Sequence, residues 1–551
     1  MGALTGRSPA DIGLGVALIL QVMVGAFAVL VVRDHGWDDG AITLAFARTF
    51  AEHGRIALTA ASAPVEGFSS PVWFLINAAG AAGRPGFAGA IAISQILTTA
   101  CLMACSILMF LIGRRLALKD AGLAAVLIVF ALMGPAVSES ANGMEMALLA
   151  AAGLGLVYAV YFRFTWVGAG LAAALFLSTR FEAIFYYGLL LAPLLLQGAA
   201  RRALILAVLG LAMFALQEWA RLAVFGELLP NTILAKMHAP YSFPGLAGLQ
   251  SRLAAVSELA ALTAPLAITL FFLGVLNPDA VRSLSGRRRD VLILATPVLA
   301  VEVFALMTGK NQGYLGRMAF LGLPFALLLF GLLFDVLAGR VRADVRRALL
   351  LLACAITVQL DLSLSAAGAL AGSDPALGAV SVTPAAYRQT GMSMDRLRSR
   401  LGLKQIVFVT PDVGGLGLCC EHIRVIDLGL LTSAPLAKNG YGALPALLAT
   451  ESPDVIEAHR GWAQASDLYN MPIIRSGYQP AMIDGLRVYL RSDHAAKLLA
   501  ASQAIWCPVQ NANCLDRALQ RHRYVLDATR IDDVAFLRGG GFIAVADEMP
   551  R

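Results

Sequence analysis

The run Ile12–Val32, IGLGVALILQVMVGAFAVLVV, passes directly into Arg33–Thr43, RDHGWDDGAIT. Twenty-one residues without a formal charge are enough to cross a hydrocarbon core of about 30 Å at about 1.5 Å per helical residue. The run is too long for a signal-peptide core and lacks a small-residue cleavage site, so it reads as a retained first membrane helix. Immediately beyond its end stand two adjacent carboxylates, Asp38 and Asp39.

The apolar pattern recurs at about 12–32, 87–112, 121–138, 145–162, 165–179, 183–200, 203–225, 254–276, 290–308, 317–337 and 347–365. With 58% hydrophobic and only 14% charged residues, the chain is a polytopic α-helical membrane protein; a soluble domain carries about 25% charged residues. The net charge of +7 is no nucleic-acid footprint, because the arginines gather in short loops between apolar runs. Pro71–Ala82, PVWFLINAAGAA, decides the topology. It is short for a span and fits an interfacial or re-entrant helix. If it does not cross, Arg114, Arg115 and Lys119, Arg163, Arg201 and Arg202, Arg282 and Arg287 to Arg289, and Arg340, Arg342, Arg346 and Arg347 share one side. The positive-inside rule makes that side cytoplasmic. About eleven transmembrane helices follow, in an inner (cytoplasmic) membrane, with the N-terminus cytoplasmic.

Residues 1–365 then form a membrane domain whose outer loop, 33–86, carries interfacial helices. Residues 366–551 form an extracytoplasmic soluble domain of α/β or α+β type, since Gln405–Thr410 and Arg487–Arg491 are of strand length and polar loops separate them. Positions 366–380 are the expected hinge. Cys101, Cys105 and Cys354 lie in spans and read as buried free thiols. Cys507 and Cys514 are the disulfide candidate on the oxidising side, and the neighbours Cys419 and Cys420 are left unassigned, since a bridge between them closes a strained ring.

Polar and ionisable groups converge at the outer helix ends: Asp38, Asp39, Glu66, Glu139, Glu145, Arg180, Glu182, Asn231, Lys236, His238, Lys310 and Arg317. Such groups are costly facing lipid. Taken singly, Glu139, Glu182 and Lys310 read as ion pairs or solvated loop charges. Outside the cytoplasm no nucleotide sugar is available, so a sugar must arrive on a lipid phosphate. Transfer then needs a carboxylate to take the acceptor's proton and cations to stabilise the departing phosphate. Neighbouring Asp residues on a helix point about 100° apart, so only one can serve as base. The other would position the substrate, cap the helix, or help hold a divalent cation (Mg, Mn or Ca), which the chemistry allows without demanding.

DDGAITLAFARTFAEHGRI with PVEGFSSPVWFLI resembles the first outer loop of the GT-C glycosyltransferases, and NGMEMALLA, TRFEA, FGELLPNTILAK and GYLGRMAFLGLP follow in that family's order. The branch resembled includes the actinobacterial cell-wall terminal β-(1→2)-arabinofuranosyltransferase, which uses decaprenyl-phospho-arabinose; VTPDVGGLGLCCEHIRVIDLGLLT is similar to its outer domain. The resemblance implies an inverting transferase that moves arabinofuranose from a polyprenyl phosphate to an outer-face cell-envelope glycan. It implies that Asp38 and Asp39 are catalytic, with Asp38, the first residue of the motif, slightly favoured as base. Lys236, Arg317 and Arg180 are the candidates for the donor phosphate. Glu145 and His53, with Glu66, Asn231 and His238, are secondary candidates for acceptor contacts. Two departures stand out: Thr308–Gly313 replaces the family's Gly-Gly-Asp-type turn, and Phe181 stands where proline is common.

Two rival functions need different features. A lipid-linked-sugar transporter calls for broken or charged helices near the midplane and inverted repeats, none of which the sequence displays. A non-catalytic glycan-assembly protein would require the tail and tolerate loss of the acidic pair.

Overall fold

The structure is a computed structural model and describes residues 8–242, 245–309, 315–370, 382–508, 536–537 and 540–545. Each of the eleven predicted segments carries a helix. Among the described residues, six helices are long and apolar enough to cross a bilayer: Pro9–Val32, Gly86–Arg115, Ala200–Phe225, Gly245–Leu276, Pro278–Thr308 and Ala343–Leu364. A seventh, Asp120–Leu132 with Gly134–Asn142, is bent by 45°. Pro135 has no N–H to continue the first piece, and the freed amide of Gly134 donates to the buried Asp361 carboxylate. The expectation of unbroken helices is corrected here. Four shorter helices, Met146–Phe162, Trp166–Leu177, Ala183–Leu196 and Leu323–Leu337, occupy the remaining predicted positions. Pro71–Ala81 is a helix of 11 residues, only about 16 Å long.

Two boundaries move with consequence. The helix predicted from 254 begins at Gly245, and the one predicted from 317 begins at Leu323, which leaves Arg317 in a turn. Of the expected hinge, 366–370 continues the helix Ala343–Leu370, and 371–380 lies outside the described residues, as do Lys310 to Gly313.

The described residues of the tail form seven strands: β1 (Ile406–Thr410), β2 (Ile423–Asp427), β3 (Val455–Glu457), β4 (Tyr478–Ile483), β5 (Leu486–Arg491), β6 (Ile505–Pro508) and β7 (Gly541–Val545). They make one mixed sheet in the order β2-β1-β3-β5-β4-β7-β6. β1 runs parallel to both β2 and β3, while β3 and β4 run antiparallel to β5. Cys419 and Cys420 form a disulfide. Cys507 is buried in β6, and its candidate partner Cys514 lies outside the described residues.

The outer loop does not belong to the membrane domain alone. Phe46, Leu58, Phe68 and Phe74 share one hydrophobic core with Phe408, Leu416, Val425 and Leu490 of the tail. Phe68 stacks on Phe74 at 4.4 Å, with Phe46 edge-on to Phe68 at 5.5 Å; such pairs add to the area they bury. The core therefore crosses the division expected at 365.

Candidate active site

The site starts at the helix Asp38–His53. Trp37 enters it in an extended conformation, its amide donating to Asn142 Oδ1 at 2.7 Å, and both aspartates fall in the first turn, where negative charge suits the helix dipole. Their side chains diverge. Asp38 is 3% exposed, and its two carboxylate oxygens accept from the amides of Gly414 at 2.8 Å and Gly415 at 2.7 Å, after β1. Only glycine fits there: a Cβ on Gly414 would lie 2.2 Å from the Asp38 carbonyl oxygen, and one on Gly415 would lie 2.1 Å from that of Pro384. Asp38 is thus a joint between the outer loop and the sheet domain.

Asp39 faces the other way, into a cavity. An inner pocket of about 80 Å³ is lined by Asp39, Glu145, Arg180, Lys236, Tyr241 and Arg317. It shares Arg180, Lys236 and Tyr241 with a larger chamber of about 340 Å³, whose wall includes Phe304 and Met307 of the membrane helix Pro278–Thr308. Asp39 Oδ2 accepts from Arg317 Nη1 at 3.1 Å, and the guanidinium lies 6.0 Å from the centre of the Trp37 ring. This is the outer limit for a cation–π contact.

The three expected cations differ in what they already hold. Arg180 is 3% exposed and bound twice, to Glu145 and to Glu182. Burial opposes its charge, and the two carboxylates more than compensate, so its affinity for the proton rises. Lys236 ends the short helix Asn231–Lys236. It is half-buried, and among the described residues no carboxylate lies within ion-pair distance of it. Burial first, then the charges of Arg180 and Arg317, push its ammonium down to about 8. An unpaired ammonium in such a cavity is a ready anion site.

Arg180→Ala should be chiefly a stability defect. It leaves two buried carboxylates uncompensated, a change worth about 3–5 kcal/mol. The expected reading is a clear fall in the melting temperature of the detergent-solubilised protein.

Several expected residues lie elsewhere. Glu66 pairs with Arg221, Nε to Oε2, at 2.6 Å. His53 sits on the outside against Glu421. Asn231 Nδ2 donates to the Leu431 carbonyl at 2.8 Å, and His238 Nε2 contacts the Lys438 carbonyl at 3.1 Å, so both fasten their segment to the sheet domain. None of these four lines the cavity, because each is held by a partner on its own side. Glu139 accepts from the amides of Met146 and Ala147 and caps a membrane helix. Asp38 and Asp39 point apart, so the pair presents no shared pair of oxygens to a divalent cation. Among the described residues, the metal-like cluster Glu52, His53 and Glu421 lies at the surface. Sequence reading passed over Thr232, Tyr241 and Arg252, which line the cavity. Their signal was nearness to Lys236 for two of them, and for Arg252 none.

Fold and site define a multi-pass membrane protein with a sheet domain docked over a charged cavity at one end of its helices. The chain matches no family model and no curated protein. It is similar in structure to ArnT from Cupriavidus metallidurans, solved bound to undecaprenyl phosphate, at 17% identity over 79% of each chain, with a TM-score of 0.44.

Proposed function

We propose that the chain is an inverting GT-C-type glycosyltransferase that moves a sugar from a polyprenyl phosphate to a glycan hydroxyl, with Asp39 as general base. One observation carries this reading: a partly exposed carboxylate and an unpaired ammonium share a cavity whose wall is a membrane helix. The lipid tail of the donor would leave past Met307, which is 60% exposed on that helix. The acceptor oxygen attacks the anomeric carbon as its proton passes to Asp39. The bond from that carbon to the phosphate oxygen breaks, and its electron pair leaves with the polyprenyl phosphate. Lys236 and Arg317 take up the charge that develops there. A single displacement inverts the anomeric centre. The preference for Asp38 as base gives way to Asp39, because both Asp38 oxygens are held by amides.

The resemblance of the outer loop and of LPNTILAK supports arabinofuranose as the sugar, decaprenyl phosphate as its carrier and a cell-envelope glycan as acceptor. The loop arginines support a cytoplasmic N-terminus, with cavity and sheet domain on the extracytoplasmic side. Purified chain given polyprenyl-phospho-arabinofuranose and an arabinan oligosaccharide should yield a linkage of inverted configuration by NMR. No turnover of this or any other polyprenyl-phospho-sugar would overturn the proposal.

Lys236 gives a pH signature. Its charged form dominates below about 8 and is lost above. The KM for donor should therefore rise as pH climbs through that value. Lys236→Gln should flatten this limb and raise donor KM about 10- to 100-fold at neutral pH, from about 1.5–3 kcal/mol for a charged hydrogen bond. Steady-state kinetics in donor concentration across pH 6–9 would check it, and an unchanged limb would remove Lys236 from the donor site.

A further inference from the structure

The sheet domain has a topological switch point of its own at the carboxyl edge of β1 and β3. From β1 the chain moves to β2 on one side and then returns to β3 on the other. In open α/β sheets, ligands bind at the carboxyl edge where the connections diverge in this way. Asp412 follows β1 there, and His459 follows β3. The Tyr387 hydroxyl donates to Asp412 Oδ2 at 2.6 Å, and His459 Nε2 lies 3.6 Å from the same oxygen. His459 Nδ1 is buried and has no hydrogen-bond partner among the described residues. Neighbouring acids already have partners in the fold: Asp427 accepts from Gly429 and Thr432, and Glu457 from Thr410. His459 is thus left with hydrogen-bonding capacity at Nδ1 that the described residues do not use.

This edge adjoins the cavity of Asp39. Half-buried Trp462, on the turn after His459, stands edge-on to Tyr241 at 5.8 Å. Tyr241 lines the cavity, and its hydroxyl donates to the Gly429 carbonyl, beyond β2, at 2.8 Å. Burial raises the proton affinity of Asp412, and the charge of Asp39 raises it further, so the two carboxylates lie within electrostatic reach of each other.

We propose that Asp412, His459 and Trp462 form a crevice at this edge that is the subsite for the acceptor, holding the sugar unit next to the reacting hydroxyl. The assignment of that sugar as part of an acceptor rests on the transferase reading above. Aromatic faces suit the apolar side of a sugar ring, and carboxylate and imidazole suit its hydroxyls. The carboxylate disfavours an anion, so the ligand is a neutral glycan.

The test uses the full-length chain without donor and a panel of neutral arabinofuranose, galactofuranose and mannose hexasaccharides. At least one should slow amide hydrogen exchange over residues 456–465. Trp462→Ala and Asp412→Asn should raise its Kd at least tenfold and, in turnover assays, raise acceptor KM far more than donor KM. Wild-type chain in which no hexasaccharide protects this segment overturns the proposal, as does a parallel rise of both KM values. A chain that binds glycan here yet consumes no polyprenyl-phospho-sugar overturns the transferase reading and leaves the crevice as a glycan site. Should the variants fail to fold, the wild-type protection pattern still decides.

Discussion

Asp39→Asn should lower kcat by about 10²- to 10⁴-fold, the usual contribution of a positioned general base, and leave the melting temperature almost unchanged. The two halves of that expectation come from the same geometry. Among the described residues Asp39 has one ion-pair partner, Arg317, and its side chain is 32% exposed. Arg317 is 13% exposed, and a single partly exposed pair of this kind contributes little to stability. An asparagine Oδ1 can still accept from Arg317, so the local arrangement survives while the proton acceptor is gone. Donor KM should not rise, because the variant removes a negative charge beside the phosphate cations. Asp39→Glu keeps the chemistry but moves the carboxylate by one methylene, and should recover part of the rate. Product formation by thin-layer or mass analysis, beside a thermal melt, measures both halves. Full activity in Asp39→Asn would remove this residue from the chemistry.

Much of the architecture was written in local pattern. Apolar runs of membrane length became helices in every predicted position, and strand-length runs such as Gln405–Thr410 entered the sheet as β1. The acidic pair, Lys236 and Arg317 were marked by their residue types at helix ends, and the structure brings Asp39, Lys236 and Arg317 to one pocket. What the sequence withheld depends on contacts between distant segments. Nothing near Asp38 announces that Gly414 and Gly415, more than 370 positions on, will take its oxygens. Glu66 reads as a site residue until Arg221, inside a predicted span, is seen to claim it. Arg252 was invisible because its helix begins nine residues before the apolar run from 254 that defined it. The adjacency of Cys419 and Cys420 was plain, but whether the chain closes a ring there depends on tertiary packing, not on spacing.

Asp38→Ala should fail differently, losing stability and rate together. The variant strips the acceptors from two amides at a buried joint, and unsatisfied buried donors cost about 1–3 kcal/mol each. A loss of about 2–6 kcal/mol follows by that principle, read as a lower melting temperature. Hydrogen exchange should quicken at residues 412–420, where the joint sits, well before the membrane helices respond. The rate should fall about 100-fold as well, since Asp39 is the next residue and a displacement of about 1 Å at a reacting group has that effect. Asp38→Asn should lie between, because one oxygen can still accept an amide while its NH₂ meets the other donor. Gly415→Ala tests the joint from the opposite side: its Cβ would strike the Pro384 carbonyl, and it should reproduce the exchange pattern with both aspartates intact. The decisive comparison is between neighbours. If Asp38→Ala loses activity while exchange at 412–420 stays slow, Asp38 acts on the substrate and the joint is incidental. If both change together, as Asp39→Asn does not, then the acidic pair divides its labour: one carboxylate fastens the sheet domain, and by doing so holds the other at the acceptor.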